Sequence, residues 1–284
     1  MTPLEAVVLG IVQGLTEFLP VSSDGHLAVM PRLFGWGTPQ LSFTVALHWG
    51  TLVAVLVCFR KDVVPLLRGL AYGPVWLLAR SGLVRPLPET AWAEASLTWL
   101  LACATLPAAI VGWLTAGFIE GSASSLGFVG LCFIANAAIL ILSQALAPSA
   151  DRRRDVGWRR GMVIGLLQPI ALLPGVSRSG STIGVGMVLG VDPIQAARFS
   201  FLLSIPAILG AGVLEGAKAL GENLSAAAWE MYALGAAVAA IFGWIAIRVV
   251  FRAVVRGRFG WFGVYCGLVG VGVLVASLTG HLPA

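Results

Sequence analysis

Charge is what this chain lacks most. Asp, Glu, Lys and Arg make up 11% of its 284 residues, where soluble domains carry about 25%. Hydrophobic residues make up 58% and the mean hydropathy is +0.92. That excludes an ordinary soluble domain. The apolar runs are long enough for spanning helices, which argues against the short alternating strands of a membrane barrel. No Lys or Arg precedes the first apolar run, so the N-terminus makes a poor signal peptide. Cysteine is scarce and unpaired by spacing. Cys58, Cys103, Cys132 and Cys266 each lie inside an apolar run with no CxxC, which speaks against a disulfide framework or a thiolate metal cluster and for buried thiols. A net charge of +5 and a pI of 9.4 invite a nucleic-acid reading. The basic residues, however, fall in clusters between apolar runs, where they act as topology determinants. No nucleic-acid partner is expected.

The polar chemistry that is present is concentrated. Residues 13–26 read QGLTEFLPVSSDGH. Gln13 and Glu17 are four apart and share a helix face. Pro20 disfavours helix at Leu19, and Ser23 or Asp24 is placed to cap a second helix. The stretch has an echo at 165–182, GLLQPIALLPGVSRSGST. Adding 155 carries Gly10 to Gly165, Gln13 to Gln168, Ser22 to Ser177 and Gly25 to Gly180, the mark of two structural halves. Residues 3–34 and 161–190 are each expected to form a re-entrant helical hairpin. Spans are expected at 41–60, 92–116 and 125–147 in a first repeat, residues 1–150. The second repeat, residues 151–284, is expected to place spans at 194–215, 228–251 and 260–280. Residues 62–82 read as a partly interfacial helix, and Asp192-Pro193 as the cap and first turn of the span that follows.

Three basic clusters decide the expected orientation. Arg60, Lys61, Arg68, Arg80 and Arg85 follow the first span. Arg152, Arg153, Arg154, Arg159 and Arg160 follow the third, and Arg248, Arg252, Arg256 and Arg258 surround the turn between the last two. With three spans per half, all fall on one side, which becomes cytoplasmic. The opposite loops hold little charge: Arg32, Glu120, Lys218 and Glu222. Both termini are expected outside, and His281 near the C-terminus is expected to take no part. An odd number of spans per half inverts the second repeat, so the two hairpin turns meet near the midplane. The fold class is therefore an all-α integral membrane protein with six transmembrane helices and two re-entrant helical hairpins in an inverted-topology repeat.

At that meeting point Glu17, Asp24 and Arg178 would each cost roughly 2.5–3.5 kcal/mol at the centre of a lone spanning helix. They must find one another, water or a ligand. A guanidinium among hydroxyls and helix N-termini suits phosphate, which it grips bidentately. Carboxylates beside it point to a bridging divalent cation with oxygen ligands, Mg²⁺, Ca²⁺ or Mn²⁺. Ser23 and His26, three apart, fit nucleophile and base, and a water with His26 as its base is the other nucleophile the sequence allows. Each residue also has a plainer use. Arg178 can simply pair with Glu17, the serines can be caps, Gln13 can be polar glue, and His26 and His48 can be packed residues.

The two stretches resemble the two signatures of the undecaprenyl-diphosphate phosphatase family, the bacitracin-resistance proteins. The first reads [EQ]-G-x-T-E-F-L-P-V-S-S-x-G-H in that family and QGLTEFLPVSSDGH here; the second, P-G-x-S-R-S-G, appears as PGVSRSG at 174–180. The resemblance covers nearly the whole chain. It implies a bacterial inner-membrane phosphatase, multi-pass, commonly a homodimer, that converts undecaprenyl diphosphate to undecaprenyl phosphate through an outward-facing site. It implies catalytic roles for Ser23, His26, Glu17 and Arg178, and phosphate binding by Arg178, Ser22, Ser177, Ser179 and Thr182. A divalent cation, Mg²⁺ or Ca²⁺, is expected on Glu17 with Gln13 and Asp24, and His48 and Thr44 stand behind them. The chain departs from the family in three places: Gln13 in place of an acid, Asp24 where Thr is common, and Thr44 where many members carry Asp or Glu. A carrier of polyprenyl phosphates is the alternative, since broken helices in inverted repeats also suit transport.

Overall fold

A computed structural model describes residues 1–219 and 224–280. Glu222 and His281 lie outside them. The described residues form helices and turns, with one isolated bridge between Arg154 and Val191. The chain opens with α1 (Pro3–Phe18) and α2 (Ser23–Leu33), then α3 (Leu41–Cys58), α4 (Arg60–Ala71), α5 (Gly73–Arg80), α6 (Glu89–Ser124) and α7 (Leu126–Leu146). A short 3₁₀ turn, Ala150–Arg152, leads to α8 (Trp158–Leu167), a second 3₁₀ turn, Gln168–Leu172, and α9 (Arg178–Val188). Three long helices close the chain: α10 (Pro193–Ala219), α11 (Ala226–Val255) and α12 (Gly260–Leu278).

Six helices among the described residues are long and apolar enough to cross a membrane: α3, α6, α7, α10, α11 and α12. They coincide with the six expected spans, and several extend beyond them. The expected interfacial helix at 62–82 is instead two pieces, α4 and α5, because Tyr72-Gly73-Pro74 interrupts it. Asp192 caps α10 as expected, its Oδ1 accepting from Ile194 N at 2.9 Å. The expected cap of α2 needs correction. Ser22 holds that position, its Oγ accepting from Gly25 N at 3.4 Å, while Ser23 and Asp24 are already inside the first turn.

The core is built by helices that approach closely at small residues, as membrane helices do. A Cβ added to Gly14 in α1 would lie 2.6 Å from Ala239 O in α11, and one on Gly270 in α12 would lie 2.8 Å from Gly130 O in α7. In these two pairs, α1 with α11 and α7 with α12, the backbones meet at small residues. Large apolar side chains point outward along the long helices, with Trp113, Leu114 and Leu268 among the most exposed. Polar residues are gathered inside. Gln13, Glu17, Ser22, Ser23, Ser177 and Ser179 are all buried, the reverse of a soluble protein.

Candidate active site

The site is made by two chain breaks that face each other. In the first hairpin, Leu19 ahead of Pro20 is extended, at φ −60 and ψ 140, and ends α1 directly after Glu17 and Phe18. The chain then passes through Ser22 at φ 67, the sole non-glycine residue at positive φ among those described. Such a conformation costs about 1–3 kcal/mol and persists where surroundings enforce it. Here Ser22 Oγ accepts from Gly25 N and, across the interface, from Gly175 N at 3.1 Å. In the second hairpin Pro169 stops α8, and Gly175 turns at φ 110 where an added Cβ would lie 2.7 Å from Val129 O. Ser177 then caps α9, accepting from Gly180 N at 3.0 Å, so Arg178 stands at the first position of a helix.

Glu17 is the hub between the turns. Its Oε1 accepts from Arg178 Nη2 at 2.6 Å. Its Oε2 accepts from Ser23 Oγ at 2.8 Å and from Gln13 Nε2 at 3.0 Å, and His48 Nε2 lies 3.7 Å away. Arg178 Nη1 is buried and takes no partner among the described residues, leaving one arm of its fork for a ligand. Asn136 of α7 fastens the two breaks together. Its Nδ2 donates to Pro20 O at 3.0 Å and its Oδ1 accepts from Ser177 N at 3.1 Å.

A cavity of about 290 Å³ opens at this point, and Glu17, Ser22, Ser23, Asp24, His48, Ser177 and Arg178 line it. Gln168 also lines it, together with apolar residues such as Ala108 and Ile119 of α6, Leu172, and Ile208 and Ala211 of α10. A second cavity, lined by Glu5, Trp36, Gln40 and Tyr232 among others, holds none of the signature residues.

The remaining expected residues are placed differently. His26 does not line the cavity. Its Nδ1–H donates to Ser22 O at 2.7 Å, its Nε2 lies 2.8 Å from Tyr265 Oη, and its ring meets the edge of Phe133. Thr182 is buried behind Arg178, donating to Arg178 O at 2.7 Å and lying 2.6 Å from Ser200 Oγ. Ser179 Oγ donates to Leu19 O at 3.3 Å, a further tie between the hairpins. Thr44 lies one turn before His48, and its backbone carbonyl accepts the His48 Nδ1–H at 2.8 Å. Gln13 sits behind Glu17 and off the cavity wall. Sequence reasoning passed over Asn136, although a lone carboxamide inside an apolar span is a signal in itself.

The donor set for a cation is small. Among the described residues no group of three His, Cys, Asp or Glu converges on one point. Glu17 and Asp24 are the two carboxylates on the cavity wall. A cation with one or two protein carboxylates fits hard ions that complete their shell with phosphate oxygens and water.

The chain matches the family model described as bacitracin resistance protein BacA over residues 6–272. It is 39% identical over 278 residues to a protein named undecaprenyl-diphosphatase from Desulforudis audaxviator, covering 98% of this chain and 99% of that one. Proteins of the same name from Thermomicrobium roseum and Chlorobium phaeobacteroides are 41% and 39% identical, with 94% and 100% of their own lengths covered. With the signature residues gathered around one buried carboxylate and the match running nearly end to end, the chain belongs to the BacA family of bacitracin resistance proteins.

Proposed function

We propose that the protein hydrolyses undecaprenyl diphosphate to undecaprenyl phosphate and inorganic phosphate, the activity named for its relatives. It is a multi-pass membrane phosphatase. The observation that carries the chemistry is the bond from Ser23 Oγ to Glu17 Oε2 beside an Arg178 that has a guanidinium nitrogen to spare.

In the reading we favour, the terminal phosphate enters between Ser23 and Arg178. Ser23 Oγ attacks phosphorus and its proton passes to Glu17 Oε2. The bond to the bridging oxygen breaks and the lipid monophosphate departs with that oxygen. Water then displaces inorganic phosphate from the serine, and the proton on Glu17 returns to Ser23 Oγ. Arg178, held in place by Glu17, offsets the charge on the equatorial oxygens. Glu17 takes the base role expected of His26, because His26 Nε2 is engaged with Tyr265 while Glu17 already holds the serine hydroxyl. Ser22 and Ser177 support the phosphate from either turn, and Ser179 and Thr182 hold Arg178's helix in position. A divalent cation, Mg²⁺ or Ca²⁺, would be held by Glu17 and Asp24 with Gln13 steadying Glu17, and it supplies charge neutralisation of the diphosphate. His48, backed by Thr44, faces the same carboxylate. A pure carrier would have no use for the serine–carboxylate pair.

The architecture we propose around this site has two inverted repeats, 1–150 and 151–284, whose hairpins are re-entrant. It lies in the bacterial inner membrane with both termini and the cavity mouth on the outer side. The protein acts as a homodimer. The undecaprenyl tail follows the apolar walls of α6 and α10 into the bilayer. The test is phosphate release from undecaprenyl diphosphate by the purified protein in detergent, with rapid acid quench to trap phosphoserine. Release by the wild type and its loss in Ser23→Ala are expected. A fully active Ser23→Ala enzyme would overturn the serine pathway.

A further inference from the structure

Gln13 and Gln168 occupy corresponding places, ten residues before Ser23 and Arg178 respectively. Each is buried, and each has a carboxamide oxygen with no hydrogen-bond partner among the described residues. They differ in what lies four positions on. Gln13 finds Glu17 there and donates to it at 3.0 Å. Gln168 finds Leu172, which offers no polar atom. Gln13 is also off the cavity wall, whereas Gln168 is on it, together with Glu17, Ser177 and Arg178.

A carboxamide 3% exposed with an unpartnered oxygen is costly to fold. At the wall of a ligand cavity, a carboxamide that no described residue holds is open to a ligand. Because no described protein group holds the oxygen, the amide is free to turn about its last torsion and present its NH₂ to an anion. Its neighbours on the wall narrow the choice of anion. Gln168 opens the 3₁₀ turn that includes Ala171 and Leu172, and Leu172 faces Gly112 of α6, 3.5 Å from an added Cβ. Gln168 therefore stands on the cavity wall in a turn whose next lining residues, Ala171 and Leu172, are apolar and suited to a lipid chain.

We infer that Gln168 binds the phosphate that stays on the lipid, through its carboxamide NH₂, and so selects a diphosphate anchored on an apolar chain. This rests on the phosphatase reading above. It makes Gln168 a substrate-binding residue for the leaving group and leaves Arg178 as the grip on the phosphate that is transferred.

The test uses the full-length protein in detergent, farnesyl diphosphate as substrate, and inorganic phosphate and farnesyl monophosphate as competing ligands. Gln168→Met keeps the volume and removes the donor. A hydrogen bond to a charged group, once lost, should raise KM by about 10- to 100-fold. The inhibition constant for farnesyl monophosphate should rise by the same factor, with that for inorganic phosphate and with kcat unchanged. An unchanged KM, equal shifts for both inhibitors, or a fall in kcat at constant KM would overturn the assignment. Should Gln168→Met fail to elute as folded protein, Gln168→Glu keeps the shape and sets an anion against the phosphate. It must raise KM further, and a wild-type KM in that variant overturns the proposal equally. Direct binding of farnesyl monophosphate, followed by tryptophan fluorescence, separates the two readings. A wild type that releases no phosphate fails the phosphatase reading, yet weaker monophosphate binding by Gln168→Met still supports this one and equal binding refutes it.

Discussion

Glu17 takes hydrogen bonds from its own helix, from the next helix and from the opposite hairpin, through Gln13, Ser23 and Arg178. Removing its charge while keeping its shape should therefore stop chemistry before it disturbs folding. Glu17→Gln is expected to lower kcat by about 10²–10⁴, the range for a general base, with the melting temperature moved by only a few degrees. Arg178→Lys keeps the charge and loses the fork that reaches Glu17 and a phosphate together, so a loss of about 10²–10³ in kcat is expected. A Lys variant retaining a tenth of wild-type turnover would exclude that bidentate role. Asp24 gives a cleaner experiment now that Ser22 is seen to cap α2. Asp24→Asn should raise the metal concentration for half-maximal phosphate release without the stability loss of a missing cap, and an unmoved midpoint would remove Asp24 from the metal site. These residues were legible because the signatures concentrate them in two short stretches of an apolar chain. The surroundings of His26 were not. Ser23 and His26 are three apart and share a helix face, yet the imidazole turns to Ser22 O and to Tyr265, 239 residues away. Local spacing carries no information about that partner.

Helix boundaries follow the same division between local and distant causes. Proline, serine caps and Asp192 set the starts of α9 and α10 from within a few residues, and these could be read. The end of α6 could not. The apolar run fades near 116, but the helix continues to Ser124, where Arg32 of α2 donates to Ala123 O and Ser124 O at 3.4 and 3.1 Å. A basic side chain at a helix C-terminus satisfies carbonyls that would otherwise be orphaned. Asn136 plays the corresponding part between the hairpins, presented there by α7, which packs closely on α12. Asn136→Leu would leave Ser177 N–H without its acceptor, at about 1–3 kcal/mol. If the amide also sets the spacing of Ser23 and Arg178, kcat per folded molecule should fall while KM for the diphosphate stays near wild type. A variant that melts earlier with unchanged kcat would make Asn136 a structural tie alone.

At the scale of the molecule, the distribution of arginine and the packing of helix ends bear on one question, which way the protein faces. Arg198 near the start of α10 pairs with Asp62 at the start of α4, so the basic cluster after α3 lies beside the beginning of α10. Phe59, between α3 and α4, packs on Phe251 near the end of α11, four residues or fewer from Arg248 and Arg252. Gly260 N at the start of α12 donates to Gln144 Oε1 near the end of α7, just ahead of the cluster at 152–160, whose Arg154 N donates to Gly190 O. All three clusters thus gather at one end of the bundle. The other end carries the start of α3 and of α11, joined through Ser42, Tyr232 and Gln40. The positive-inside rule then predicts that the arginine-rich end faces the cytoplasm and both termini face out. Arg153→Cys in a background with the four native cysteines replaced should stay unlabelled by an impermeant maleimide in intact cells and react once the membrane is opened. Thr2→Cys in the same background should react before opening. Labelling of residue 153 from outside, with residue 2 protected, would reverse the molecule in the membrane.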